Sequence, residues 1–422
     1  MQKSILLSSL LSLICLSGLA QSPWSLVSET QTNNYYSIYA VNKDKVVTTA
    51  EWGMLFQSND GGHTMQAYQL DSNFSLFYDV AFLGQQHGFA GGGCYFTTDD
   101  CVENVIASTT DGGQNWVWKQ IAAGVGVLAD LSVLPDGTVF ALGDYNGLFR
   151  RQPLSQNWDS LGRPGIIESG AYTGMQFLDT KNGFIEHWTF EAGQNLTHLL
   201  RTTDGGLQWT EVLTGANSSQ QPFYYFLDTL HGFQLSNNGQ LGRTVDGGTS
   251  WTTEQAFGTS EAILKLDFVN PSVGYLSTWE MPAQIGRMYR STDGGAHWSL
   301  DLKADSVYLQ DFHFADTENG YAISNYRQIL RRTGSVSTSM PQSGSILSIT
   351  PNPVYGLATI TLPENRTGDA LQIFDSLGRM VQQIELAKGQ QEITFLTSGL
   401  RAGIYFLAIQ GQADEVIKFV VN

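Results

Sequence analysis

Five times this chain writes nearly the same nine residues: QSNDGGHTM at 57–65, STTDGGQNW at 108–116, RTTDGGLQW at 201–209, RTVDGGTSW at 243–251 and RSTDGGAHW at 290–298. No other feature constrains the fold as much, because a recurrence at this period marks one supersecondary unit built repeatedly. The aspartates Asp60, Asp111, Asp204, Asp246 and Asp293 lie 51, 93, 42 and 47 residues apart. The long gap is about twice the others, and SVLPDGTVFALGDYNGLFRR at 132–151 fills it with a copy that lacks the Asp-Gly-Gly.

A second motif runs in phase with the first. VAFLGQQHGFAGG (80–92), MQFLDTKNGFIEH (175–187) and FHFADTENGYAIS (312–324) share it with the copies at 223–235 and 266–278. Each is an alternating apolar strand, a turn, and a Gly-aromatic pair that opens the next strand. Together the motifs predict seven units of about 45 residues, each of four short strands. The expected fold is therefore all-β, a seven-bladed β-propeller of four-stranded blades over residues 21–334. A solenoid would need polar capping units, and none is visible. WSLVSE at 24–29 is placed to supply the outer strand that the last unit lacks. The 45 glycines and a charged fraction of only 14% suit many short strands and tight turns.

Asp-Gly between two strands is a strong hairpin signal, since Asp can accept nearby backbone N–H groups and glycine tolerates positive φ. Trp116, Trp209, Trp251 and Trp298, with Met65 in the first copy, are expected to pack between neighbouring blades. The five aspartates are read as turn-builders, because turns arrayed around a ring do not converge on one substrate. Arg150, Arg201, Arg243, Arg290 and Arg331, at the ends of third strands, are read likewise as bonds to a neighbouring blade. His87, His231 and His297 fall in turns and are read as structural.

The S/T-x-D-G-G-x-x-W run resembles the Asp-box, or bacterial neuraminidase repeat. The longer unit, with Gly-Phe/Tyr ahead of R-T-x-D-G-G-x-x-W, resembles the photosystem II assembly-factor-like propellers. The resemblance covers about residues 24–334 and implies a fold and a structural Asp-box, not an activity. Sialidases also resemble one another in a Phe/Tyr-Arg-Ile-Pro motif, and this chain has none.

The first twenty residues, with Lys3 ahead of an apolar run from Ile5 to Leu16 and small residues at Gly18 and Ala20, read as a signal peptide, 1–20. Ile14 before Cys15 argues against lipoprotein processing. No later run is apolar enough to span a bilayer as a helix. Cys94 and Cys101, in CYFTTDDC, are expected to pair in an oxidising compartment. No His or third Cys stands beside them, so neither metal nor cofactor is expected. A net charge of −17 argues against nucleic acid as a partner.

Residues 335–345 read as a Ser/Gly-rich linker. Beyond it, alternating strands over 346–422 predict a small C-terminal β-sandwich. Pro351-Asn352-Pro353, IFDSLGRMV, LRAGIYFL and the terminal Lys-Phe-Val-Val resemble the type IX secretion C-terminal sorting domain of Bacteroidota. That implies the type IX machinery as a partner and a secreted or cell-surface destination. An ordinary adhesive sandwich is the alternative.

No nucleophile elbow, phosphate loop or zinc motif is present. The turns between second and third strands nonetheless carry acidic-aromatic pairs: Glu51-Trp52, Asp144-Tyr145, Glu186-His187-Trp188, Trp279-Glu280 and, with Asn, Asn325-Tyr326. Set around one channel mouth, the aromatic faces could stack on sugars and the carboxylates accept hydroxyl hydrogen bonds. The alternative is that these aromatics only finish the second strands. The sequence thus points to a non-catalytic binding or adhesion protein with a glycan or surface-protein ligand. A glycoside hydrolase would instead need two carboxylates about 5–10 Å apart across one cleft, and a surface-assembly scaffold is the third reading. Deleting residues 346–422 should abolish export and retain the protein in the periplasm; fractionation and immunoblotting of the medium, surface and periplasm measure this, and the truncated chain in the medium would refute it.

Overall fold

The repeated turn is built from one carboxylate and two left-handed residues. In all five copies the Asp Oδ1 accepts the backbone N–H four positions on, from Thr64, Asn115, Gln208, Ser250 and His297, each at 2.9 Å. The Ser or Thr two residues earlier donates its hydroxyl to the same carboxylate and accepts the second glycine's N–H at 2.8–3.0 Å. Both glycines of every copy have φ between 72° and 91°, a region that costs other residues strain. A Cβ on Gly206 would also fall 2.7 Å from Leu148 of the preceding sheet. The first glycine's N–H bonds back to the turn between first and second strands, as from Gly205 to the Lys181 carbonyl at 2.9 Å, so both turns lie at one end of the unit. In the degenerate copy, Pro153-Leu154-Ser155 replaces Asp-Gly-Gly, and Leu154 still takes a φ of 61°.

The computed structural model describes residues 23–29, 33–70, 76–94, 104–122, 126–145, 147–165, 170–191, 193–217, 223–325, 327–334, 347–355, 357–362, 370–375, 379–397, 399–401, 403–410 and 412–421. The described residues contain strands and turns and no helix. They fall into two compact units, divided after Ser335. The signal segment 1–20, the linker 335–345, Cys101 and Tyr326 lie outside the described residues; Cys94 ends the strand His87–Cys94.

Unit one is a propeller of antiparallel meanders. Five sheets have four strands. A sixth, of eight, is two four-strand meanders bridged where Gly126 and Val127 pair with Cys94 and Gly93. The first strands are Tyr35–Ala40, Leu76–Leu83, Gly126–Val133, Ala171–Phe177, Phe223–Phe226, Glu261–Phe268 and Leu309–Phe314. Each packs against the next and the last against the first, so they close around a central channel. The strand Trp24–Glu29 joins the last meander by pairing antiparallel with Gln328–Arg332, Trp24 opposite Arg332. Trp24 donates to Asp301 at 2.6 Å, and Arg332, buried, is held by Asp301 and Glu318 at 2.9 Å each.

The second motif has a packing reason. Where the next first strand ends in Phe, the aromatic of the Gly-aromatic pair, or its counterpart, stacks on that Phe. Phe140 lies on Phe177 with centroids 3.5 Å apart, and Phe184 on Phe226 and Tyr275 on Phe314 do the same. The glycine makes room within its own sheet, since a Cβ on Gly183 would sit 2.7 Å from the Phe177 ring. Trp209 meets Phe177 edge-on at 6.1 Å, as Trp251 meets Phe226 and Trp298 meets Phe268; Trp116 meets Phe82 at 6.0 Å. These tryptophans are half-buried, lying over the seam between sheets rather than inside it. The third-strand arginines bridge the same seams. Arg243 lies over Phe233 and donates to the Gly295 carbonyl of the next meander, and Arg331 lies over Tyr321 and reaches the Lys43 carbonyl.

In unit two, seven strands follow one hydrogen-bonded path. The strand Ser348–Tyr355 pairs antiparallel with Leu357–Thr361 near its start, and Val354 near its end lies parallel to Val421. Both halves of the path feed one core, in which Phe395 meets Phe419 edge-on at 5.8 Å beside Ile360, Leu371 and Leu407.

The Asp-box carboxylates make stability acid-sensitive. Backbone N–H bonds hold Asp60, Asp111 and Asp293 down at about 2; Asp246 reaches about 2 through its Ser250 hydroxyl and N–H bonds, and Asp204 is lowered by the Gln208 N–H. A depressed folded-state value gives stability that is full above the unfolded value near 4 and lost as pH falls toward 2. The melting temperature of the propeller should therefore fall between pH 4 and pH 2, and calorimetry across that range checks it.

Candidate functional site

Two places concentrate polar and aromatic chemistry: the turns between second and third strands, and the wall of the channel. At the first, Glu51, Asp144 and Asn325 are tied to backbone. Glu51 accepts the Asn34 N–H at 3.2 Å and its side-chain amide at 2.6 Å. Asp144, buried, accepts the N–H groups of Val127 and Tyr145, each at 2.9 Å. Asn325 accepts the Tyr308 N–H at 3.0 Å. In each case the acceptor, at the end of a second strand, fixes the start of its own first strand. Trp279 and Glu280 are the last residues of the strand Gly274–Glu280 and not of a turn; Glu280 takes Arg287 at 2.7 Å and the Ser260 hydroxyl at 3.2 Å. The aromatic partners differ. Trp52 is 54% exposed with φ 62°, Tyr145 is 46% exposed, and Trp279 is partly buried edge-on to Tyr308 at 5.5 Å.

Glu186, His187 and Trp188 are not turn residues. They lie inside the strand Gly183–Glu191, whose counterparts Val46–Ala50 and Gly320–Ser324 end four residues sooner. Alternating IEHWTF continues the strand, and the chain reverses only around Gly193, at φ 81°. Trp188 is partly buried there, and His187 is fully buried with neither ring nitrogen bonded, so burial lowers it to about 4. Across this long hairpin, the Thr189 hydroxyl meets His198 Nε2 at 2.9 Å and His198 Nδ1 meets Glu211 at 2.6 Å. The hydroxyl-imidazole-carboxylate order resembles a hydrolytic triad, but Thr189 is fully buried and serves the sheet.

The channel wall is where the ionisable side chains gather. A first strand has one edge paired within its meander and the other turned to the channel, and its N–H groups there need partners. The first strands Leu76–Leu83, Gly126–Val133, Glu261–Phe268 and Leu309–Phe314 bulge, and the residue after the bulge reaches the next first strand. Asp79 accepts the Leu131 N–H at 2.9 Å, Asp130 the Met175 N–H at 2.6 Å, and Asp311 the Ile38 N–H at 2.9 Å. Lys265, at the same position, donates instead to Asp311. In the fourth meander the position is Gly174, and Glu186 on the paired strand lays its carboxyl 3.7 Å from where a Cβ would stand. Its Oε1 accepts the Tyr224 N–H at 2.5 Å, taking the role its neighbours fill from the first strand.

These groups are electrostatically strained. Burial pushes Glu186 up to about 8, with Asp130 adding to it against the Tyr224 hydrogen bond. Burial and then Asp79 raise Asp130 well above the carboxylate range, and burial and then Asp311 raise Asp79. For Lys265, burial opposes the charge but Asp311 and Asp267 outweigh it, and its affinity for its proton rises. A cavity of about 360 Å³ opens beside Asp130, Thr173, Gly174, Glu186, Tyr224 and Lys265. No cluster of three or more His, Cys, Asp or Glu suited to a metal occurs among the described residues. The sequence reading missed Asp79, Asp130, Lys265 and Asp311. The signal was present as one ionisable residue at an equivalent place in YDVAF, ADLSV, LKLDF and QDFHF.

Comparison with known proteins bears on both units. A family model described as the secretion system C-terminal sorting domain matches residues 348–422. The chain is accordingly a type IX substrate, secreted or held at the cell surface. A curated relative, beta-agarase A of Zobellia galactanivorans, is 21% identical over 221 residues, 51% of this chain and 38% of that protein. The chain thus spans well under half of that relative's length. The solved structure of YCF48 bound to D1 peptide is similar over 75% of this chain and 98% of its own, with TM-score 0.56 and 18% identity. The GH74 xyloglucanase of Xanthomonas campestris is similar over 94% of this chain and 67% of its own, at 0.53 and 13%. The Niastella koreensis GH74 enzyme is similar over 94% and 74%, at 0.54 and 11%. At such identities the likeness is one of fold.

The turn acids carry a structural prediction. Asp144→Ala leaves the buried Val127 N–H unpaired and should cost about 1–3 kcal/mol, whereas Asp144→Asn, which keeps the acceptor, should cost less. Denaturant unfolding of the two variants measures the difference.

Proposed function

We propose that the chain is a secreted or cell-surface binding and adhesion protein whose non-catalytic propeller presents an aromatic mouth to a glycan or a surface protein. The sheets are seven blades, the last completed by Trp24–Glu29, and the two halves of the C-terminal path face one another as a small β-sandwich that the type IX machinery reads. Residues 1–20 are the leader removed before export, and Cys94 and Cys101 pair.

One observation carries the reading of the mouth. Glu51, Asp144 and Glu280 are engaged by backbone amides, Ser260 and Arg287, while Trp52 and Tyr145 keep about half of their surface open. Occupied carboxylates are poor general acids, and open aromatic faces on rigid turns are good sugar or cation platforms. A glycoside hydrolase is the second reading. Its support is the fold likeness to the GH74 enzymes and the pair Asp130 and Glu186, one of which keeps a proton near neutrality.

The mature chain should bind members of a glycan and protein array, and Trp52, Tyr145 and Trp279 changed together to Ala should abolish that binding while circular dichroism is unchanged. Unaltered binding by the triple variant rejects the mouth. Reducing-sugar release from agarose or xyloglucan, lost in Glu186→Gln, would instead establish the hydrolase.

A further inference from the structure

The channel cavity is unevenly supplied with charge. Lys265 is the cation in its wall among the described residues, and it is committed to Asp311. Asp130 and Glu186 line it too, neither in an ion pair among the described residues, with Lys265 close enough to ease the charge on Asp130 without pairing with it. Glu186 is 5% exposed, lines the cavity, and has one oxygen, Oε2, without a hydrogen-bonding partner. Thr173 Oγ1, in the same wall, is also buried and unpartnered. Two orphaned polar atoms in a native interior call for an occupant. The volume of about 360 Å³ falls in the range of small-molecule sites, and Phe223, Tyr224 and Leu264 give it an apolar side.

We propose that this cavity binds the ammonium group of a small primary amine, with Glu186 Oε2 and Asp130 as its counter-charges and Thr173 Oγ1 as its third acceptor. An ammonium has three N–H donors and no acceptor, which matches a wall offering free acceptors and no free cation. A metal ion is a worse match, since the described residues bring no third carboxylate or imidazole to the site. Before an amine binds, a proton on Glu186 does its work, because burial holds that group up at about 8. Binding turns the carboxylic acid into a carboxylate facing the ammonium and releases the proton to solvent. The groups that face Glu186 are Asp130, Tyr224, Tyr225 and, across the cavity, Lys265, with His187 next on its own strand. Tyr224, Tyr225 and Lys265, which titrate above neutrality on their own, are raised further, and burial lowers His187 to about 4, so none of them titrates between pH 6 and pH 8. Affinity should therefore rise between pH 6 and pH 8, where Glu186 loses its proton and an aliphatic amine, near 10.4, keeps its own; Asp130 is held up by burial and Asp79 and eased by Lys265. This site is separate from the aromatic mouth and does not depend on it.

The test is calorimetric titration of the mature chain with 1,5-diaminopentane, with 1-pentanol and sodium chloride as controls. The diamine should bind, more tightly at pH 8 than at pH 6, and its heat should differ between phosphate and Tris by the release of up to about one proton. Glu186→Gln, which keeps an acceptor for the Tyr224 N–H, and Asp130→Asn should each weaken binding at least about tenfold, with melting temperature recording that each variant is folded. The Trp52, Tyr145 and Trp279 variant should bind the diamine as the parent does, which separates this site from the mouth. No binding of the diamine, equal binding by Glu186→Gln, or equal binding of 1-pentanol would overturn the proposal.

Discussion

The packing of the propeller depends on aromatic stacks that set the seams from Phe140–Phe177 through Phe184–Phe226 and Phe233–Phe268 to Tyr275–Phe314. Each meander alone is a small sheet with two wet faces and little core of its own. The Phe ending a first strand lies face-on to an aromatic of the preceding meander, with a glycine beneath it in its own sheet, as with Phe177 between Phe140 and Gly183. The stack fixes the spacing of adjacent sheets, and the turn, the tryptophan and the arginine are all arranged around it. The Asp-Gly-Gly turn sets its second glycine against the neighbouring sheet, the tryptophan covers the seam, and the arginine ties the seam's rim. An extra methyl at either glycine would enter space that the stack already fills.

The same demand explains the channel. Sheets pressed together at this angle leave the inner edges of the first strands unpaired, with their N–H groups facing one another's side chains. Carboxylates meet that demand best, because a charged acceptor makes a strong hydrogen bond. The cost is mutual repulsion in poorly hydrated surroundings, visible in the raised proton affinities of Asp79, Asp130 and Glu186. Lys265 relieves that repulsion on one side. On the other side, Gly174 and Glu186 divide between two strands a task that a single residue performs elsewhere.

The turns, the repeat register and the pairing of Trp24–Glu29 with the last meander were legible in the sequence, because each rests on local chemistry or on counting. A positive-φ Asp-Gly-Gly is written in three letters, and a missing strand shows as a missing segment. What misled was length. Strand Gly183–Glu191 outruns its counterparts, and counting from the shorter copies put Glu186, His187 and Trp188 in a turn. The channel residues escaped notice for another reason. A single Asp or Lys inside an alternating apolar strand reads as an outward polar position. Only the bulge and the closing of the ring aim it at the next strand's backbone. Glu51 and Asp144 were found as a repeated pattern, but their partners, the N–H groups at the starts of first strands, lie about seventeen residues back and leave no mark of their own.

The closing strand also decides how the propeller bears a load. The chain leaves unit one through Gln328–Arg332 on its way to the sorting domain, so traction on the tail during export is delivered there first. Because Trp24–Glu29 lies along its outer side and Gly320–Ser324 along its inner side, that exit strand is held from both flanks. Tension along it must slide hydrogen bonds on two sides at once, in shear, and break the clamp of Arg332 on Asp301 and Glu318. Without the N-terminal strand it would be an edge, and its outer flank would hold nothing. The strand Trp24–Glu29 thus becomes a mechanical anchor for the segment that follows Arg332.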